Sequence, residues 1–103
     1  MVSMAENWAD VAGTVARVAP SEREGFVAVD VAVDRVEPVA GVANLLEGTE
    51  GQTVTVQLPV ELADSAGVEV GAPVAWRLRR GGLEDVFADP DRLVADYGDD
   101  AFA

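Results

Sequence analysis

Between Phe26 and Val36 the residues Val27, Val29, Val31 and Val33 alternate with Ala28, Asp30, Ala32 and Asp34. A two-residue period belongs to a strand with one face in a core and the other in water, and no helix reproduces it. The chain is therefore expected to be built around a sheet. No glycine interrupts the segment, which suggests a strand that bends around a core and pairs on both edges, as long strands of small barrels do.

The flanking sequence supplies further strands. Val11 to Val18 sets Val11, Gly13 and Val15 on one face and Ala12, Thr14 and Val18 on the other. Pro20, Ser21 and the charged stretch Glu22 to Gly25 then read as a turn. Pro38 to Gly51 is the least regular stretch. Asn44 to Glu47 has the composition of one helical turn, while Gly41, Gly48 and Gly51 favour a loop. From Thr53 to Val60 alternation resumes, with Val54, Val56, Leu58 and Val60 inward, and Pro59 marks a strand end or an edge. Glu61 to Ala66 forms a short helix that Gly67 closes. Val74 to Arg80 points Val74, Trp76 and Leu78 one way and Arg77 and Arg79 the other. Gly81-Gly82 reads as a hairpin whose two turn positions take positive φ, with Leu83 to Ala88 as the returning strand. Asp89-Pro90-Asp91 reads as a cap with proline in the first turn, opening a helix that runs to Gly98, and the last residues fray.

The order of three strands, a short helix, then two strands over residues 11–89 resembles the OB-fold, the Greek-key barrel of oligonucleotide- and oligosaccharide-binding domains. The expected class is thus all-β: a five-stranded OB-like barrel with a short helix between the third and fourth strands. An N-terminal segment of residues 1–10 precedes it, and a C-terminal helix and tail of residues 90–103 follow. An SH3-like barrel and a TOBE-type transporter accessory domain share the pattern. The OB resemblance implies a ligand face beside the last hairpin, where arginines contact phosphates and aromatics stack on bases.

A single domain of 103 residues holds a core without staples, and the chain has no cysteine to form one. Thiolate redox chemistry, zinc-thiolate and iron-sulfur sites are thereby excluded. Histidine is absent too, which removes triads, imidazole bases and histidine-ligated metals. All seven basic residues are arginines, so Schiff-base and phosphate-loop lysines are also missing. Against them stand 19 carboxylates and a formal charge of -12. A field of that sign disfavours broad binding to nucleic acid or membrane. It is expected either as adaptation to a concentrated-salt cytoplasm or as a docking face for a basic partner. Residues 1–13 lack a basic segment followed by an apolar stretch, and no apolar run reaches the roughly 20 residues of a membrane helix. A cytoplasmic protein is expected.

Arg77, Arg79 and Arg80, beside Trp76, form the basic cluster and the candidate nucleic-acid or ligand site. The competing reading pairs Arg77 and Arg79 with Glu84, Asp85 or other carboxylates while Trp76 fills the core. Phe26 and Phe87 are expected in the core as well. Trp8 and Phe102, in the terminal segments, are the candidate partner surface. Asp30 and Asp34 share a face but lie about 13 Å apart, too far for one metal or an acid/base pair. The C-terminal aspartates lack the spacing of a calcium loop. The expectation is a non-enzymatic binding module or accessory subunit, without cofactor or metal. It acts through a protein partner, with single-stranded nucleic acid as the alternative. Docking would use a groove between the second and third strands and the Arg77–Gly82 hairpin, or add a strand at an open edge.

Overall fold

The computed structural model describes residues 7–41, 46–81 and 86–94, the last five through their backbone. Six elements follow in order: β1 (Ala9–Pro20), β2 (Phe26–Pro38), β3 (Thr53–Pro59), α1 (Val60–Ser65), β4 (Pro73–Arg80) and β5 (Val86–Val94). The strands close into a barrel in the order β1-β2-β3-β5-β4. All-β class and the helix after the third strand are as expected, and the order is compatible with an OB-like barrel.

Alternation in β2 sets the inside of the barrel. Val29, Val31 and Val33 are buried, while Ala28, Asp30, Ala32 and Asp34 take the other face. Val54, Val56 and Leu58 of β3 answer them across an antiparallel ladder in which Val29 faces Val56 and Val31 faces Val54. β1 pairs with β2 from Ala9 opposite Pro38 to Pro20 opposite Val27, and on its other edge with β4. Register shifts at Ala12/Gly13 and Val15/Arg17 give this long ribbon the bend that closure demands. At the first shift the backbones come so close that a Cβ on Gly13 would overlap the Ala32 carbonyl oxygen. Only glycine fits there.

Pro59 ends β3 and caps α1, so Val60 leaves the strand and lies exposed instead of inward. Helix α1 stops at Gly67, whose φ of +66° suits a residue without a side chain. Ala63 turns into the core beside half-buried Leu62. The irregular stretch before β3 also reaches the core: Leu46 is buried, and its carbonyl accepts hydrogen bonds from both Thr49 N and Thr49 Oγ1.

Two expectations near the C-terminus change. The segment from Asp89 to Val94, expected as the first turns of a helix, continues β5. Leu78 faces Ala88 and Trp76 faces Leu93, so four residues, Asp89 to Arg92, stand opposite Arg77 alone. Pro90 has no N–H for a ladder, and this wide bulge needs none at that point. The Asp-Pro-Asp signal therefore marks a bulge, because pairing with β4 resumes beyond it. The second change concerns Gly81, which has no positive φ. Its lack of a side chain makes room for the Phe87 ring, which a Cβ would strike. Gly82 to Asp85 and residues 95–103 lie outside the described residues.

Candidate functional site

The three arginines singled out in the sequence have three different environments. Arg77 lies across the β1–β4 ladder from Asp10 and forms a two-pronged ion pair, Nε to Oδ1 at 2.8 Å and Nη2 to Oδ2 at 3.1 Å. That bonding raises the guanidinium pKa above its ordinary value, with help from the charges of Asp10 and Asp89, while burial opposes it. Arg77 is thus a structural cation whose bonded partner, Asp10, is on β1. Arg80 is held by its main chain: its N–H donates to Asn7 Oδ1 at 2.8 Å, and its carbonyl accepts from Asn7 Nδ2 at 3.0 Å. Buried Asn7 imitates one more ladder residue and fixes the end of β4. Trp76 is in the core, on the face opposite Arg77 and Arg79, as the alternation predicts.

Arg79 alone of the three belongs to a surface with ligand chemistry. Its guanidinium carbon lies 5.5 Å from the centroid of the Phe87 ring, with which it is paired in the β4–β5 register. On the β1–β2 turn, Arg23 lies 5.2 Å from the same centroid and 5.6 Å from that of Phe26. The two rings meet edge to face at 6.4 Å. Expected in the core, both phenylalanines are only half-buried and stand outside the buried cluster. The reason is parity. Phe26 shares the outward face of β2 with Ala28 and Asp30, and Phe87 follows inward Val86.

A groove of about 520 Å³ opens beside these rings, lined by Pro20, Ser21, Glu22, Arg23, Ala28 and Gln57. The turn that forms one wall is well braced. Ser21 N donates to the Phe26 carbonyl and Phe26 N to that of Arg23, and Gly25, at φ +82°, offers its carbonyl to Val60 N of α1. Ser21 Oγ accepts from the Arg23 main-chain N–H and donates to Gln57 Oε1. Gln57, in turn, is the residue of β3 that bridges to Phe87 of β5. Five elements or turns therefore converge on one patch: Arg23, Phe26, Gln57, Arg79 and Phe87. The sequence reading missed Arg23, Ser21 and Gln57, since only the closed barrel brings them together.

Trp8 is half-buried and engaged with neighbours, and Phe102 lies outside the described residues. Asp30 accepts a hydrogen bond from Thr55 Oγ1 at 2.6 Å, a cross-strand contact on the barrel exterior. Among the described residues no cluster of carboxylates has the geometry of a metal site. Nor is any helix there long and apolar enough to cross a membrane. No family model, curated protein or solved structure matches the chain.

Proposed function

We propose that this chain is an OB-type barrel serving as a cytoplasmic, non-catalytic binding module that acts through a protein partner. One observation carries the reading: two phenylalanines kept out of the core, each under a guanidinium, beside an open groove. Half-exposed aromatics and arginines are the residue types that anchor partners at interfaces. The strand order and the helix between β3 and β4 support the OB-type reading, in which the β2–β3 face and the β1–β2 and β4–β5 loops bind ligands. The charge of -12 supports a protein over a polyanion.

A second reading, binding of single-stranded nucleic acid on the same face, is favoured by the Arg23, Phe26, Phe87 and Arg79 constellation, since bases stack on aromatic rings and guanidiniums. Two phosphate contacts would give a salt slope of only about -1.5. Affinity capture of the full chain from its native cytosol at native ionic strength, with and without nuclease, tests both. A protein partner retained after nuclease treatment, and released by the Arg23→Gln/Phe87→Leu double variant, supports the first reading. Loss of all retained material with nuclease overturns it in favour of the second.

A further inference from the structure

Strand β3 has two edges, and the one away from β2 is largely unused. Val33 fixes the phase on the β2 side: its N–H donates to the Gln52 carbonyl and its carbonyl accepts from Gly51 N. Main-chain groups of a strand turn to alternate sides, so Val31, Val29 and Val27 face β3 in the same way, and their partners Val54, Val56 and Leu58 spend their N–H and C=O groups on β2. Thr53, Thr55 and Gln57 therefore direct theirs to the opposite edge. There β3 meets β5 in parallel at one residue pair, Gln57 with Phe87. Parallel alignment sets Thr55 and Thr53 ahead of Val86, where β5 begins. Among the described residues the N–H and C=O groups of Thr53 and Thr55 consequently have no ladder. Edge strands are ordinarily guarded by charges, bulges or proline. β3 has no charged residue and no register shift, and its proline stands at the far end, beyond Gln57. The side chains beside this edge are acceptors. Exposed Thr55 donates its hydroxyl proton to Asp30 Oδ1 at 2.6 Å, which leaves lone pairs on the hydroxyl and a carboxylate behind it. Arg23 and Arg79 are gathered over the Phe87 ring, at the Gln57 end. On the inner face Val54 keeps 8% exposure where Val56 has none, so the apolar wall is incomplete beside the same edge.

We propose that the Thr53–Thr55 edge of β3 takes up an extended segment of a partner polypeptide in which Arg or Lys alternates with Val or Ile. Its backbone pairs with the N–H and C=O groups of Thr53 and Thr55, as in strand addition at a sheet edge. Residues directly opposite one another share a face, so the basic side chains lie beside Thr53 and Thr55 and extend towards Asp30, while the apolar ones cover Val54. A net charge of -12 draws such a segment and repels a second copy of this chain, which is why the edge is assigned to a basic partner. The added strand ends against Val86, next to Phe87, and is thus continuous with the aromatic patch. The inference rests on the protein-partner reading above and names the edge and the sequence chemistry by which that partner is held.

Two measurements on the full chain test this. In hydrogen exchange of the free protein, the Thr53 and Thr55 amides are expected to exchange at least about a hundredfold faster than those of Val54 and Val56, which bond to β2. An amide NMR titration then compares three N-acetylated, C-amidated peptides: Arg-Val-Arg-Val-Arg, the same peptide with its Arg main-chain nitrogens methylated, and Arg-Arg-Arg-Val-Val. The alternating peptide is expected to shift the resonances of Thr53 to Val56 and to protect the Thr53 and Thr55 amides, with the other two binding at least about tenfold more weakly. Thr53→Pro removes an edge N–H at the first residue of β3, where proline is tolerated, and is expected to keep the spectrum of the barrel and lose the peptide. The methylated peptide makes the same distinction without altering the protein. Asp30→Asn keeps an acceptor for Thr55 and should weaken the alternating peptide by about threefold. Protection of Thr53 and Thr55 equal to that of Val56 in the free chain, equal binding of the three peptides, or shifts confined to Ser21 to Ala28 overturns the proposal. So does concentration-dependent protection of the same amides without peptide, which assigns the edge to a second copy, or an oligothymidylate that shifts them more strongly than the peptide. A cytosolic protein partner that survives nuclease and stays bound in excess alternating peptide would sink the edge site while leaving the protein-partner function standing.

Discussion

Among the described residues Trp76 is the largest fully buried side chain, and its indole N–H has no acceptor there. A buried unpaired donor costs about 1–3 kcal/mol, which offsets part of what the ring contributes by packing. Trp76→Phe removes the donor along with some volume, so its stability should fall within about 1 kcal/mol of the wild type, whereas Trp76→Ala should lose about 3–5 kcal/mol. Urea midpoints measure both, and a Phe variant as unstable as the Ala variant would mean the N–H is satisfied after all. Asn7 presents the opposite case, a buried polar side chain with both ends paired to the Arg80 main chain. Asn7→Ala strands a donor and an acceptor together and should cost about 2 kcal/mol, with faster hydrogen exchange at the Arg80 amide than at Leu78. The burial of Trp76 is read from strand parity, but the role of Asn7 is not visible in the sequence. A lone asparagine before a strand carries no signal of a partner 73 positions away.

Among the elements, β1 and β4 are joined by the Asp10–Arg77 pair as well as by their ladder. The pair is partly exposed, and the two-pronged geometry favours a coupling near the upper end for surface ion pairs. A double-mutant cycle with Asp10→Asn and Arg77→Gln should therefore return about 1 kcal/mol. Because the folded-state pKa of Arg77 is raised, the stability it contributes is present below the ordinary arginine value and lost only as pH climbs through the higher folded one. Denaturation midpoints of the wild type should thus show no loss from this pair between about pH 7 and about pH 10. A coupling that declines over that interval would contradict the assignment. The elements also show where local signals suffice. The valine alternation of β2, and of β3 as far as Leu58, carries over to the barrel, since each inward residue is decided by its own parity. At β5 the local signal fails, because Asp-Pro-Asp suits a helix start and a bulge equally. The choice is made by β4, whose Ala75 and Trp76 recapture Val94 and Leu93. Phe26 was legible as an outward residue from the same parity that placed the valines, but its apolar character argued for the core. Of what it packs against, Arg23 is local to the same turn, while Phe87 becomes a neighbour only when β3 and β5 meet in parallel.

For the whole molecule, the sequence carries 19 carboxylates against seven arginines, and the radius of gyration is 12.8 Å. That radius is close to the Debye length of about 10 Å at 0.1 M salt, so charges across the molecule repel one another in dilute buffer and are screened from one another in concentrated salt. Unfolding relieves the repulsion by spreading the charges over a larger volume. Stability should therefore rise with potassium chloride, by on the order of 1 kcal/mol or more between about 0.05 M and about 1 M. Salt also acts on apolar surface, and a charge-reduced variant separates the two causes. Glu47, Glu50 and Glu69 are exposed and do not line the groove. Replacing all three by Gln removes charge while keeping shape, which should stabilise the protein at low salt and flatten the salt response. The two proteins should converge near 1 M, where the Debye length is about 3 Å. Parallel salt responses would instead assign the effect to apolar hydration.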